Sequence, residues 1–99
     1  MAQHHVIPQS LANLIEEVSP DISYNDYLIG KTVDLNNHSN HPNYNHIISF
    51  ILGMAYKNNT LDLDHIQGFA NNLINLMSAD PNKHPDQYSF NDLVGLYPR

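Results

Sequence analysis

His38-Ser39-Asn40-His41-Pro42-Asn43-Tyr44-Asn45-His46-Ile47-Ile48 is the stretch that decides how this chain folds. Its first residues continue the polar tract Asn36-Asn37, which must be loop. Pro42 is well placed for the first position of a helix, where its missing N–H is no loss. Behind it Tyr44, Ile48, Ile51 and Ala55, flanked by Ile47, Leu52 and Met54, recur at helical spacing to about Asn58. Two histidines three residues apart therefore stand at a helix entrance, where their rings can converge on one ion. Imidazole suits zinc, nickel and similar metals, and tolerates magnesium or manganese when waters complete the shell. Exposed histidines in a His- and Asn-rich chain are the alternative reading of the same pair.

Upstream, His4-His5 precedes Val6-Ile7-Pro8, an extended β-branched stretch closed by a proline. Neighbouring side chains of a strand point to opposite faces. At a bent strand end one ring can bind a metal while the other faces a substrate. Ser10 is placed to cap a short helix with Leu11, Leu14, Ile15 and Val18 on one face, ended by Ser19-Pro20-Asp21. Residues 24–35 read as irregular extended chain or short strands around Gly30. Downstream, Ile66, Phe69, Ala70, Leu73, Leu76 and Met77 predict a second long helix from near Asp62 to Ser78, stopped by Asp80-Pro81. Phe90, Leu93, Val94 and Leu96 predict one more helical turn, capped by Ser89 or Asn91. The expected fold is a single α+β domain over residues 1–99, predominantly helical, with β structure near the front.

Composition narrows the chemistry. Ninety-nine residues, 41% hydrophobic and 14% charged, suit one small globular domain and exclude a two-domain enzyme. There is no cysteine, so disulfides, thiolate zinc sites and cysteine nucleophiles are excluded. Four basic and ten acidic side chains give a net charge of −6, the opposite of the usual nucleic-acid binder. The first residues lack the basic start and apolar run of a signal peptide, and no apolar run approaches a membrane span. His46 reads as a half-exposed helix residue, His84 as loop, and His65 as part of a solvated face beside Asp62 and Asp64. Those two acids favour the dipole at a helix start. Lys31 and Lys57 are the nearest candidates for phosphate contacts, with mobile surface lysines as the alternative. Tyr44 either packs under the histidine loop or contacts substrate.

His4-His5-Val6-Ile7-Pro8-Gln9, then Asn25, then His38-Ser39-Asn40-His41-Pro42-Asn43-Tyr44-Asn45 resembles the AHH group of the HNH/endonuclease VII superfamily, the His-Me finger nucleases. The family usually opens on Ala-His-His, an apolar pair and Pro; Gln3 stands here in place of that Ala, and both histidines remain. The resemblance spans about residues 3–50 and implies a ββα-metal core over residues 1–58, with residues 59–99 as a helical extension. It implies His5 as the general base that takes a proton from the attacking water, a task suited by an ordinary pKa of about 6.5. It makes His4, His38 and His41 the ligands of one divalent ion (Mg, Mn, Ni or Zn), and Asn25 the residue that holds the His5 ring or its loop. Tyr44 and Lys31 are the corresponding candidates for substrate contact. No organic cofactor is implied.

The activity so implied is metal-dependent cleavage of DNA phosphodiesters with little sequence preference, with RNA as the other possible substrate. Family members often form the C-terminal toxin domains of polymorphic bacterial toxins. This implies delivery within a larger toxin, action in the target-cell cytoplasm, a cognate immunity protein as partner, and no membrane insertion. To reconcile a nuclease with net negative charge, a divalent ion, partly protonated histidines and exposed N–H groups at the Pro42 helix start are expected to form a local anion site. The acidic surface is expected to lie mainly in residues 62–92, away from that site. Two other readings compete: a small acidic interaction protein, such as an immunity protein or inhibitor, and a metal-binding module without catalysis.

Overall fold

A computed structural model describes residues 2–18, 20 and 30–99, and the reading of Asn25 lies outside these. Two short strands, β1 (Ala2–His5) and β2 (Thr32–Leu35), pair antiparallel with Ala2 opposite Leu35 and His5 opposite Thr32. Partners in an antiparallel ladder share a face. The strands therefore sort His4 with Val33 onto the buried face, while His5 with Thr32 and Gln3 with Asp34 share the other face. Beyond β1, Val6, Ile7 and Pro8 are buried, as their apolar character requires.

Helix α1 (Ala12–Val18) is led by a 3₁₀ turn at Gln9–Leu11. The predicted Ser10 cap is not formed: the turn starts directly after Pro8, without a side-chain cap, because Leu11 N–H bonds the Pro8 carbonyl and winds the chain two residues earlier. Helix α2 (Pro42–Lys57) has Pro42 at its first position and buries Tyr44, Ile48, Ile51, Leu52 and Ala55. That is the stripe the sequence spacing predicts. Phe50 and Met54, on the other side, are exposed. At its far end Asn59 takes a φ of 59°, the left-handed region that Asn enters more readily than most residues. Asn59 N–H then bonds the Tyr56 carbonyl and Thr60 N–H the Ala55 carbonyl, the paired bonds of a Schellman ending.

Helix α3 (Leu63–Ser78) starts behind Asp62, whose carboxylate accepts from His65 N–H, and buries Ile66, Phe69, Ala70, Leu73 and Met77. Pro98 lies so close to Gly68 that a β-carbon there would come within 2.7 Å of the proline ring, so α3 needs glycine at that crossing. A 3₁₀ turn at Pro85–Gln87 and helix α4 (Phe90–Val94) complete the chain, each opened by a reciprocal capping box, His84 with Gln87 and Ser89 with Asp92. Of the two caps the sequence allowed for the last turn, Ser89 is the one used.

The result is a small α+β fold, mostly helical, with one two-stranded sheet among the described residues. One apolar core draws on Val6, Ile7 and Ile15 from the front, on the inner stripes of α2 and α3, and on Tyr88 and Leu93 from the end. Among the described residues no helix is long and apolar enough to cross a membrane.

Candidate metal centre

Three elements meet at the start of α2. β1 sends the His4 ring inward, the loop after β2 carries His38, and His41 is the N-cap residue of α2. His4 is fully buried, and its Nδ1 lies 3.1 Å from His38 Nε2. His38 Nε2 in turn lies 3.0 Å from His41 Nε2. The three rings stand edge to face or tilted, with centroids 4.8–5.0 Å apart, so they turn nitrogens rather than faces toward a common point. One nitrogen from each ring falls within 4.8 Å of the other two.

This spacing fits an ion. Metal–nitrogen bonds of about 2.0–2.1 Å place two ligand atoms about 3.4 Å apart in a tetrahedral shell and about 2.9 Å apart in an octahedral one. The tautomer of His41 agrees. Its Nδ1 lies 3.0 Å from Asn45 Oδ1, an acceptor, so Nδ1 carries the proton and Nε2 turns a lone pair into the cluster. His4 ligating through Nδ1 leaves Nε2 protonated and buried, with no hydrogen-bond partner among the described residues.

Two of the three rings, His4 and His38, resist protonation. Burial first, then the His41 and His38 rings, pushes His4 down to about 3. Burial and the neighbouring His41 also lower His38. Neutral imidazoles are what a metal requires, since a protonated ring has no lone pair to give.

Two recesses open on either side of this cluster and share His38, His41 and Asn45 as a common wall. One, of about 440 Å³, is completed by Ser39, Asn40 and Pro42. The other, of about 270 Å³, is completed by Gln3, His5, Pro8, Gln9 and Ser10. His5 thus faces the same opening as two of the three candidate ligands, although its neighbour His4 is inside the core. The Gln9 side-chain nitrogen lies 3.4 Å from His5 Nε2; as an amide it can only donate, so Nε2 is the unprotonated nitrogen of that ring.

Other expectations need revision. Tyr44 is fully buried beneath the cluster, where its ring meets His4 edge-on at 4.7 Å and its hydroxyl donates to the Val6 carbonyl. Of its two predicted roles it fills the packing one, and no surface of it is left for substrate. Lys31 donates to Asn71 Oδ1 of α3 at 3.0 Å and lines neither recess.

The expected anion site at the start of α2 is also altered. Tyr44 N–H donates to the Asp86 carboxylate at 2.8 Å, so an acid from the supposedly distant acidic region already occupies that helix end. With His4 and His38 held neutral as well, neither of these rings adds positive charge here, which a bound cation would supply.

Sequence reasoning passed over three residues. Asn45 orients His41, and its position four residues further along the same helix face was the available clue. His84 is not free loop: Nε2 lies 3.0 Å from Ser39 Oγ, while Nδ1 accepts from Asp86 N–H. Asp86 gave no local clue, because its partner is 42 residues away. His46 is exposed and lines neither recess, as its helix position led one to expect, whereas His65, expected on a solvated face, is half-buried, bonded to Asp62 and stacked on Tyr97.

Comparison of the chain with protein-family models, with curated proteins and with solved structures gives no match.

Proposed function

We propose that this protein is a metal-dependent endonuclease of the His-Me finger kind, built on β1, β2 and α2 as a ββα-metal core. One observation carries the reading: three imidazole nitrogens converge at ligand spacing while His5, adjacent in sequence to the buried ligand His4, faces a recess walled by the other two. A base and a metal placed against one opening are what hydrolysis of a phosphodiester needs.

In this reading His4, His38 and His41 hold one divalent ion. When bound, the ion supplies Lewis acidity at the scissile phosphate and stabilises the departing oxygen. His5 takes the proton of the attacking water at Nε2, the nitrogen left unprotonated beside Gln9. Asn45 keeps the His41 ring turned toward the ion. Tyr44 braces His4 from below. Asn25 keeps its proposed role of holding His5 or its loop, on the strength of the sequence resemblance. DNA is the proposed substrate, RNA the next to be tried, and a cognate immunity protein the proposed partner of a toxin domain acting inside a target cell.

The test is nicking of supercoiled plasmid by metal-stripped protein supplied with magnesium, manganese, nickel or zinc, beside His5→Ala. Cleavage that needs metal and vanishes in His5→Ala, with metal affinity retained, is the expected result. A folded, metal-loaded protein that cuts neither plasmid nor RNA overturns the reading.

One observation favours a second reading, a metal-binding module without turnover: neither recess is lined by lysine or arginine. Such a module shares the three ligands but has no use for His5, and the same assay separates the two.

A further inference from the structure

The ligands His38 and His41 do not lie within regular structure. Residues 36–41 connect the end of β2 to the start of α2 and belong to neither ladder nor helix. A loop of this kind has many conformations, and a metal site needs one. What fixes it comes from the other end of the chain.

Five hydrogen bonds cross from residues 36–44 to residues 81–86. Asn36 N–H donates to the Pro81 carbonyl at 2.8 Å, and Asn36 Nδ2 donates to Asn82 Oδ1 at 2.8 Å. Asn37 Nδ2 reaches the Asn82 carbonyl at 3.5 Å. His84 Nε2 meets Ser39 Oγ at 3.0 Å, and Asp86 Oδ1 accepts from Tyr44 N–H at 2.8 Å. The contacts fall before His38, between His38 and His41, and after His41, so both ligands are bracketed.

The chemistry of the bracket is specific. His84 accepts at Nδ1 from Asp86 N–H, which leaves the proton on Nε2 and makes this nitrogen the donor to Ser39. The same ring thus caps its own turn and holds the loop. Asp86 supplies the acidic group that α2 lacks in its own first turn, where His41 makes no side-chain cap. Pro85 is buried, which anchors the bracket to the core rather than leaving it on a mobile strand of chain.

We propose that residues 81–86 form a clamp that sets the geometry of the metal centre, with Asn82, His84 and Asp86 as positioning residues acting through the loop that carries His38 and His41. The proposal rests on the reading of the histidine cluster as a metal centre. None of the three touches the ion or the substrate. Their effect is on how often the two loop ligands stand where His4 needs them.

The experiment measures cobalt(II) binding by competition with a chromophoric chelator, together with the visible spectrum of bound cobalt, for the full chain and for Asp86→Ala, Asp86→Asn, Asn82→Ala and Gly68→Ala. Asp86→Ala and Asn82→Ala should each weaken cobalt binding about 10–100-fold, the usual cost of losing a partner outside the ligand shell, and should change the spectrum. Asp86→Asn keeps an oxygen that can accept from Tyr44 N–H and should stay within about 5-fold of the parent on that same scale. Gly68→Ala disturbs the Pro98 contact instead, lowering the melting temperature while leaving the cobalt spectrum unchanged.

Parent-like affinity and spectrum in both alanine variants overturn the clamp. Because the Asn82 side chain is exposed, Asn82→Ala serves even if Asp86→Ala does not fold. A parent protein that binds no cobalt removes the metal centre itself, and hydrogen exchange on that metal-free protein then reads the clamp's hold on the loop directly. Asn36 and Tyr44 amides that exchange as slowly in the variants as in the parent show no hold.

Discussion

The two ends of α2 are satisfied in opposite ways. Its C-terminal end closes itself within five residues, through Asn59 in the left-handed region and bonds back to Tyr56 and Ala55. Its N-terminal end has Pro42 in place but no side-chain cap of its own, and Tyr44 N–H is met by Asp86 from 42 residues away. The end completed from afar carries the histidines. At the histidine end the hydrogen bonding that the helix leaves open is finished by another part of the chain.

The largest effect that can separate the two ends is on metal binding. His41→Ala removes a candidate ligand and the ring that Asn45 orients, and should lower divalent-metal affinity by at least about 100-fold while circular dichroism shows the helices retained. Titration by calorimetry or chelator competition measures it; retained affinity would place the ion elsewhere. Of intermediate size is the response of the metal-free protein to acid.

His4 has an ordinary pKa of 6.5 and is pushed down to about 3 in the fold. Between those limits the unfolded chain takes up a proton that the folded chain refuses, so stability present above pH 6.5 is lost as pH falls toward 3. Melting temperatures recorded from pH 7 to pH 4 should fall, and His4→Gln should flatten the slope. An unchanged slope in that variant would assign the acid response to other groups.

The smallest effect is at the other end of the helix. Asn59→Gly relieves a side chain held at positive φ and should raise stability by about 0.5 kcal/mol, with metal affinity untouched. A change in metal affinity there would mean that the two ends are coupled through α2 and that the contrast between them is false.

The same contrast explains what was legible in the sequence. α2 and α3 were readable because their buried stripes repeat locally: Tyr44, Ile48 and Ile51 in one, Ile66, Phe69 and Leu73 in the other. His38 and His41 were readable as a pair because three residues separate them ahead of a proline. That His4 joins them follows from strand alternation once β1 pairs with β2, and the pairing brings it within reach of a loop 34 residues away.

Tyr44 remained undecided between two roles because spacing alone does not say which side of the loop its ring occupies. Burial decides it. The place of Lys31 outside both recesses is hidden for a similar reason: its partner Asn71 lies 40 residues on, and nothing near Lys31 announces it. His84 and Asp86 were invisible because a turn residue's local pattern, here Asn82-Lys83-His84-Pro85-Asp86, is the same whether or not a distant loop rests on it.

The bonds from residues 81–86 to the histidine loop also set an order of events during synthesis. A growing chain acquires His4, His5, His38 and His41 long before Asp86 has been added. At about 5–20 residues per second the delay between His41 and Asp86 is roughly 2–9 seconds. Through that interval the three candidate ligands exist without the bonds that bracket the loop bearing two of them. A nascent chain therefore carries the three histidines of the candidate centre before the bonds that bracket their loop can form.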